Sequence, residues 1–422
     1  MDKIKVVWVC SFSNPLVRSH YETRAPFLIR LIYKYVKNIS LDARDSAVWN
    51  TNALTEFENY DDVDLHVICP VRFLTRKQVR CVINGIHYYF FREENSSFIR
   101  WIVFQMINQY KSKFKRNRNV IKRLVSEINP DVIHIIGAEN PHYSLSAMDM
   151  PTQTPLIVQL QALLCRLVNT TQDPVEKKDF AYKGELEKQI ILRADYIGTK
   201  AQVFIDYIRD NIKKDARFLD VTLATVEPIN TNQDKKEYDF VYFSVGIKKA
   251  GIDAIEAFAI AHRQFPQLTM DIVGGYDDEY KSMLDRRLAE LGITNCVKFE
   301  GLLPTHDDVI KQIRKSKYAL LPLTMDLVPS TVREAMANGL PVVTSHTEGG
   351  TSELNKDALC VLLSPVGSFK EMADNMVKLV SSPELANEMC NNSQQFLKKA
   401  FGSNYEITRN WVEAYKHCLN RI

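Results

Sequence analysis

PLTMDLVPSTVREAMANGLPVVTSHTEGGTSE, residues Pro322–Glu353, decides how this chain is read. An apolar strand runs into a polar loop carrying Asp326. A short helix opens at Ser330-Thr331 and holds Glu334, and Gly339-Leu340-Pro341 leads into a second strand, Val342–Thr344. Asp326 and Glu334 stand eight positions apart, one in the loop and one in the first turn of the helix, placed to face one cleft. The helix N-terminus between them offers unpaired N–H groups and the positive end of a dipole to an anion. Carboxylates accept hydrogen bonds from hydroxyls, and helix tips take phosphates, so the stretch contains what a nucleotide sugar needs. Simpler readings stand beside this one. Thr331-x-x-Glu334 is also a capping box, Ser330 and Thr331 also serve as N-caps, and a loop aspartate such as Asp326 is commonly a turn former.

Outward from this stretch, strand-like runs alternate with helical patterns, the signature of parallel α/β layers. In the first half Lys5–Val9, Leu65–Cys69, Val132–Ile136, Leu156–Gln159 and Tyr196–Thr199 read as strands, and Ala25–Val36 as an amphipathic helix. The polar stretch Glu227–Glu237 reads as a linker and hinge. A second series follows, with strands at Phe240–Ser244, Thr269–Val273, Val297–Glu300, Tyr318–Pro322 and Val342–Thr344. Helices at Ile252–Arg263, Glu279–Leu291 and Val309–Lys315 lie between them. The expected fold class is therefore α/β: two Rossmann-like, doubly wound parallel-sheet domains facing a cleft, with ligands at the carboxyl ends of the strands. The expected domains are 1–226 and 227–403, followed by a C-terminal helix over 404–422 that docks back on the first domain.

Composition narrows the class. The 422 residues are 45% hydrophobic and 25% charged, as in soluble globular proteins. Lys+Arg 54 against Asp+Glu 51 leaves +3, too little to argue for nucleic acid. The opening Met1-Asp-Lys-Ile-Lys-Val-Val-Trp-Val9 reads as a buried strand with no signal-peptide pattern. Cysteines 10, 69, 81, 165, 296, 360, 390 and 418 are scattered singly, which suits reduced thiols and a cytoplasmic location rather than a disulfide framework or a zinc site.

The strand–acidic loop–helix with Glu334-Ala-Met-Ala-x-Gly339-x-Pro341-Val-Val, set in the second of two Rossmann-like halves, resembles the GT-B glycosyltransferases. Within them it resembles the retaining family 4 type, glycosyl transferases group 1. Further matches are Val245-Gly246, Lys248-Lys249-Ala-Gly251, Ile255-Glu-Ala-Phe258, Val273-Gly274-Gly275, Phe299-Glu-Gly301 and Glu348-Gly-Gly350. The family carries two glutamates at the positions of Asp326 and Glu334, so the first is one methylene short. Ile247 stands where the family has arginine, Gln161 where a cleft histidine is common, and Ser11–Pro15 lacks the family's paired glycines.

The resemblance implies a sugar transferred from a nucleoside diphosphate to a glycan or lipid-linked acceptor, with retained configuration, in surface polysaccharide synthesis. It implies that Glu334 holds the ribose hydroxyls, Asp326 the transferred sugar, and Ser330 and Thr331 the diphosphate. Lys248 and Lys249 neutralise the leaving group, while Gly246, Gly274, Gly275 and Gly301 let backbone approach the donor. On the acceptor side Asn14, Arg18, Glu139, His142 and Gln161 are the candidates. No metal and no cofactor are expected, since lysines and a helix dipole take the place of a divalent ion. A UDP-sugar 2-epimerase of the same fold is the alternative enzyme, and a degenerate sugar-nucleotide binder the non-catalytic one.

Phe98–Leu124 reads as a basic aromatic helix with Val103, Ile107, Tyr110, Phe114, Ile121 and Leu124 on one face. Arg100, Lys111, Lys113, Lys115, Arg116, Arg118, Lys122 and Arg123 have no acidic neighbour in the segment. It is either a peripheral attachment to the anionic inner face of the membrane or a core helix with a solvated basic face.

Overall fold

The computed structural model describes residues 3–35, 45–96, 113–169, 174–224, 235–246, 250–323, 330–347 and 350–419. They form two compact units, Met1–Ala224 with Asn404–Ile422, and Thr225–Ser403.

The first unit is built on an eight-stranded sheet in the order β3-β4-β2-β1-β5-β6-β7-β8. Its strands are β1 (Ile4–Val9), β2 (Val63–Val71), β3 (Gln78–Ile83), β4 (Ile86–Arg92), β5 (Val132–Ile136), β6 (Leu156–Gln159), β7 (Tyr196–Gly198) and β8 (Phe218–Leu219). All neighbours are parallel except β3 and β4, an antiparallel hairpin. The near-continuous apolar runs of β1 and β5 follow from burial on both faces. One face carries an aromatic layer. Tyr415, from the helix Asn404–Leu419, receives the Trp8 indole N–H at 2.9 Å and lies 2.9 Å from His134 Nδ1. Complete burial pushes the His134 pKa down to about 3, so the ring stays neutral.

The second unit holds a six-stranded parallel sheet in the order β11-β10-β9-β12-β13-β14. The strands are β9 (Tyr238–Gly246), β10 (Met270–Gly275), β11 (Val297–Gly301), β12 (Ser316–Leu321), β13 (Val342–Ser345) and β14 (Val361–Ser364). Strand order reverses beside β1 in the first sheet and beside β9 in the second, the two places where such folds bind ligands.

The otherwise parallel first sheet has an antiparallel edge, because Asn84 and Gly85 take φ of 49° and 81° and turn β3 back on β4. One expectation needs correction. The helix expected over Phe98–Leu124 is not continuous. Residues 98–112 lie outside the described residues, and Lys113 and Phe114 have φ of 44° and 50°, which no helix interior accepts. The helix runs instead over Lys115–Ile128. Glu94 accepts from the Arg116 N–H at 3.0 Å at its start, while Asn117 receives the Glu94 N–H at 2.9 Å. Phe114, Ile121 and Leu124 are buried. Arg118 gives Asp149 a two-point contact at 2.6 and 2.9 Å, so one charge of the basic face is paired within the fold. Among the described residues no helix is long and apolar enough to cross a membrane.

Candidate functional site

In the second unit the glycines fall together at the carboxyl end of the sheet. Gly275 pairs with Gly246 across β10 and β9, and Val273 pairs with Gly301 across β10 and β11, with register shifts at both places. Gly274 has φ of 149°, a backbone state that side chains rarely allow. These ends therefore present bare backbone beside the point where β9 separates β10 from β12.

The helix Ser330–Ala337 follows β12. Val332, Ala335, Met336 and Ala337 are buried against the core, and Ser330 is exposed at the first turn. Asn338 closes the other end, donating its side-chain amide to the Glu334 carbonyl at 2.8 Å. Because the helix already includes Ser330, Thr331 lies inside it and Glu334 falls in the second turn rather than the first. Thr331 is thus not an N-cap, and a box closed by Glu334 is ruled out. The Glu334 carboxylate instead lies 3.5 Å from Nε2 of His306, with each side chain about one-fifth exposed. His306 opens the helix His306–Ile313, whose start is fixed by a capping box between Thr305 and Asp308. Sequence reasoning passed over His306, since only the packing of two helices distant in sequence brings it to Glu334.

The adjacent Arg333 is buried, with its guanidinium 4.9 Å from the Phe401 ring centroid. Desolvation lowers its pKa to about 10, so it remains a cation at neutral pH. Beyond β13 a buried hydroxyl network fixes the chain. Thr351 Oγ1 donates to the Ser345 carbonyl at 2.6 Å and accepts the Thr347 N–H at 2.8 Å, and Ser345 Oγ accepts the Leu323 N–H at 2.9 Å. Lys248, Lys249 and Asp326 lie outside the described residues.

In the first unit three strand ends converge on the first turn of the helix Val48–Phe57. After β1, Asn14 caps the short helix Pro15–Arg18 by accepting the Val17 N–H at 2.9 Å, and donates to Thr51 Oγ1 at 3.2 Å. After β6, Gln161 accepts from Trp49 Nε1 at 3.1 Å and donates to Glu139 Oε1 at 2.8 Å. Glu139 follows β5 and also receives the Asn140 amide at 2.6 Å. Gly137 has φ of 100°, and a Cβ there would meet the Tyr143 hydroxyl at 2.7 Å and Glu139 at 2.9 Å, so only glycine lets the loop wrap this carboxylate.

Glu139 and Gln161 are therefore brought together, with Trp49 as a neighbour that no motif had announced. Arg18 is tied to Asp45 at 2.8 Å and to Ser13 Oγ at 3.0 Å, which commits it to local structure as the cap commits Asn14. His142 sits against the rings of Tyr143 and Phe114, and burial pushes its pKa down to about 4.

Glu139 is only half-buried as a residue, but its Oε2 is sealed from solvent with no hydrogen-bond partner among the described residues. Burial raises its pKa to about 8, and the nearby Glu187 carboxylate adds to the effect. Glu187 is fully buried, accepts the Leu164 and Cys165 N–H groups at 3.1 and 2.9 Å, and is itself raised to about 7 by desolvation. Both folded-state values lie above the ordinary 4.5, so between about pH 4.5 and 8 the folded unit holds protons that the unfolded chain has released. The associated stability is complete below pH 4.5 and declines as pH rises through 7 to 8. Chemical denaturation across this range is expected to give a flatter decline for Glu139→Gln than for the parent protein. Superimposable profiles would count against the assignment.

The sequence profile of the family Glycosyl transferases group 1 matches residues 226–396. The amylovoran biosynthesis glycosyltransferase AmsK of Erwinia amylovora is 30% identical over 176 residues, which cover 39% of this chain and 42% of that protein. The chain spans under half the length of the curated relatives it matches. Sucrose-phosphate synthase from Thermosynechococcus elongatus has the same fold, with a TM-score of 0.71, 14% identity and 100% of both chains covered. HepE of Anabaena in complex with UDP gives a TM-score of 0.62 at 14% identity, over 98% of this chain and 100% of that one.

Proposed function

We propose that this chain, with a GT-B fold and with residues 226–396 matching the glycosyl transferases group 1 profile, is a retaining glycosyltransferase. It moves a sugar from a nucleoside diphosphate to a glycan or lipid-linked acceptor, with a place in polysaccharide synthesis. UDP, which HepE carries, and the amylovoran pathway of AmsK motivate the choice of nucleotide and acceptor class.

One observation carries the reading: Glu334 is set on a helix that follows the strand beside the switch point, and it is not spent on capping. A carboxylate in that place accepts two vicinal ribose hydroxyls. His306 Nε2 stands beside it at 3.5 Å. Ser330, Thr331 and the N–H groups of their helix receive the diphosphate, and the bare ends of β9–β11 admit the nucleotide to backbone distance. Asp326 takes the hydroxyls of the sugar, and Lys248 and Lys249 the charge on the leaving group. In the first unit Glu139 and Gln161 form the acceptor-side pair. In the same-face substitution proposed, the C1–O bond to the diphosphate breaks as the acceptor oxygen bonds to C1. The acceptor proton passes to the departing phosphate oxygen, so no enzymic nucleophile is needed.

A thermal-shift panel of nucleoside diphosphates and their sugars tests this, because ligand binding raises the melting temperature by mass action. UDP is expected to stabilise the protein. Glu334→Gln is expected to weaken that binding roughly tenfold to hundredfold, the loss of a charge-assisted pair of hydrogen bonds. Unchanged affinity would remove Glu334 from the ribose.

A further inference from the structure

A second constellation lies in the first unit, at the opposite end of its sheet from Glu139 and Gln161. His66 on β2 and His87 on β4 are direct register partners, and Asp64 precedes His66 by two positions on the same face. Further along, that face carries Val7, Val9 and Ile68 into the core shared with Ile121 and Leu124. His66 Nε2 lies 3.2 Å from Asp64 Oδ2, and His87 Nε2 lies 3.6 Å from Asp64 Oδ1. The three ligand atoms fall within 4.8 Å of one another.

We propose that Asp64, His66 and His87 form a binding site for one divalent transition-metal ion of the zinc class, with a fourth position left to water. Ligand bonds of about 2.0–2.2 Å in a tetrahedron set donor separations of roughly 3.3–3.5 Å. The two contacts, to different oxygens of Asp64, bracket that range, and the 40% exposed His87 ring, now stacked on His66 with centroids 4.6 Å and planes 11° apart, must rotate out of the stack to share the ion. Two imidazoles and one carboxylate favour zinc, cobalt or nickel over magnesium or calcium, which take oxygen ligands.

The partner of the second ring nitrogen supports the choice. His66 Nδ1 lies 3.1 Å from the Tyr89 hydroxyl, which can take the Nδ1 proton when Nε2 gives its electron pair to a metal. His66 is nine-tenths buried, and its Nε2 has no well-aligned hydrogen-bond partner among the described residues. Lys5, the register partner of Asp64 on β1, reaches the Ile128 carbonyl at 3.5 Å. An ion here would pin the β3–β4 hairpin to β2 and so act on the stability of the first unit, apart from the transfer reaction.

The test uses the full chain, stripped with a chelator and titrated with Zn2+ against a chromogenic indicator and with Co2+ under visible spectroscopy. One ion per chain is expected, with a rise in melting temperature and a Co2+ spectrum free of thiolate charge-transfer bands. His87→Ala, at an exposed position, and Asp64→Asn are each expected to weaken binding at least about tenfold, and Tyr89→Phe by roughly tenfold to hundredfold. The metal-free melting temperature of His87→Ala shows that the variant is folded. The assignment is overturned if the parent protein takes up no metal, if the Co2+ spectrum is that of cysteine ligands, or if His87→Ala binds as the parent does.

Discussion

Replacing Lys248 and Lys249 together by alanine is expected to lower kcat by roughly 10²–10³-fold, the range found when a charge-stabilising group is removed from an active site. The two residues stand between Gly246, at the end of the strand where the sheet order reverses, and the helix Gly251–Gln264. In the proposed reaction negative charge grows on the departing diphosphate as the C1–O bond lengthens. A fixed cation then lowers the barrier more than it favours the ground state. Ile247 cannot supply that charge, so the lysines carry it alone. Because the charge grows mostly in the transition state, the donor KM should move less than kcat. Steady-state transfer, with release of nucleoside diphosphate as readout, checks both. A double variant with the parent kcat would remove the lysines from catalysis while leaving the Glu334 assignment standing.

Deleting residues 404–422 is expected to unfold the first unit. Trp411 and Tyr415 are 1% and 0% exposed, and Ile407, Val412 and Cys418 are equally enclosed. Removing a buried aromatic costs about 3–5 kcal/mol, so two approach the ~5–15 kcal/mol that holds an average domain. The loss is compounded because the Trp8 indole and His134 Nδ1 would lose the hydroxyl they share, and the Thr222 carbonyl the 2.9 Å bond from Trp411. Tyr415→Phe isolates the polar part of the effect, at about 1–3 kcal/mol for the unpaired buried groups. Thermal unfolding and limited proteolysis are the measurements. A truncated chain whose first unit resists protease as well as the parent would contradict this account.

Much of the fold was legible because the central strands are apolar on both faces, as in Val132–Ile136 and Phe240–Ser244. The β3–β4 hairpin went unread, although Asn84-Gly85 is a turn signal. Its flanking strands mix Arg80, His87 and Arg92 with apolar residues and lack clean alternation. Strand β14 (Val361–Ser364) also went unread.

At the site, Glu334 was singled out through its motif, which favoured a binding role over a capping box, and the helix over Ser330–Ala337 removes the box. His306 and Trp49 were not legible, because their contacts come from strands and helices distant in sequence that meet only in the fold. The Asp64, His66 and His87 group is of the same kind. No linear spacing marks it, and it exists only because β4 lies in parallel register with β2.

The first unit is discontinuous, with Asn404–Ile422 belonging to it and Thr225–Ser403 intervening. On the ribosome, where units fold as they emerge, the indole of Trp8 is made before the whole intervening unit and its phenol partner after it. The intervening unit can fold beforehand, while the sheet that precedes it waits with an uncovered aromatic face. Nascent chains halted before Asn404 should therefore be the ones that chaperones hold, and release should follow within a few helical turns of further synthesis.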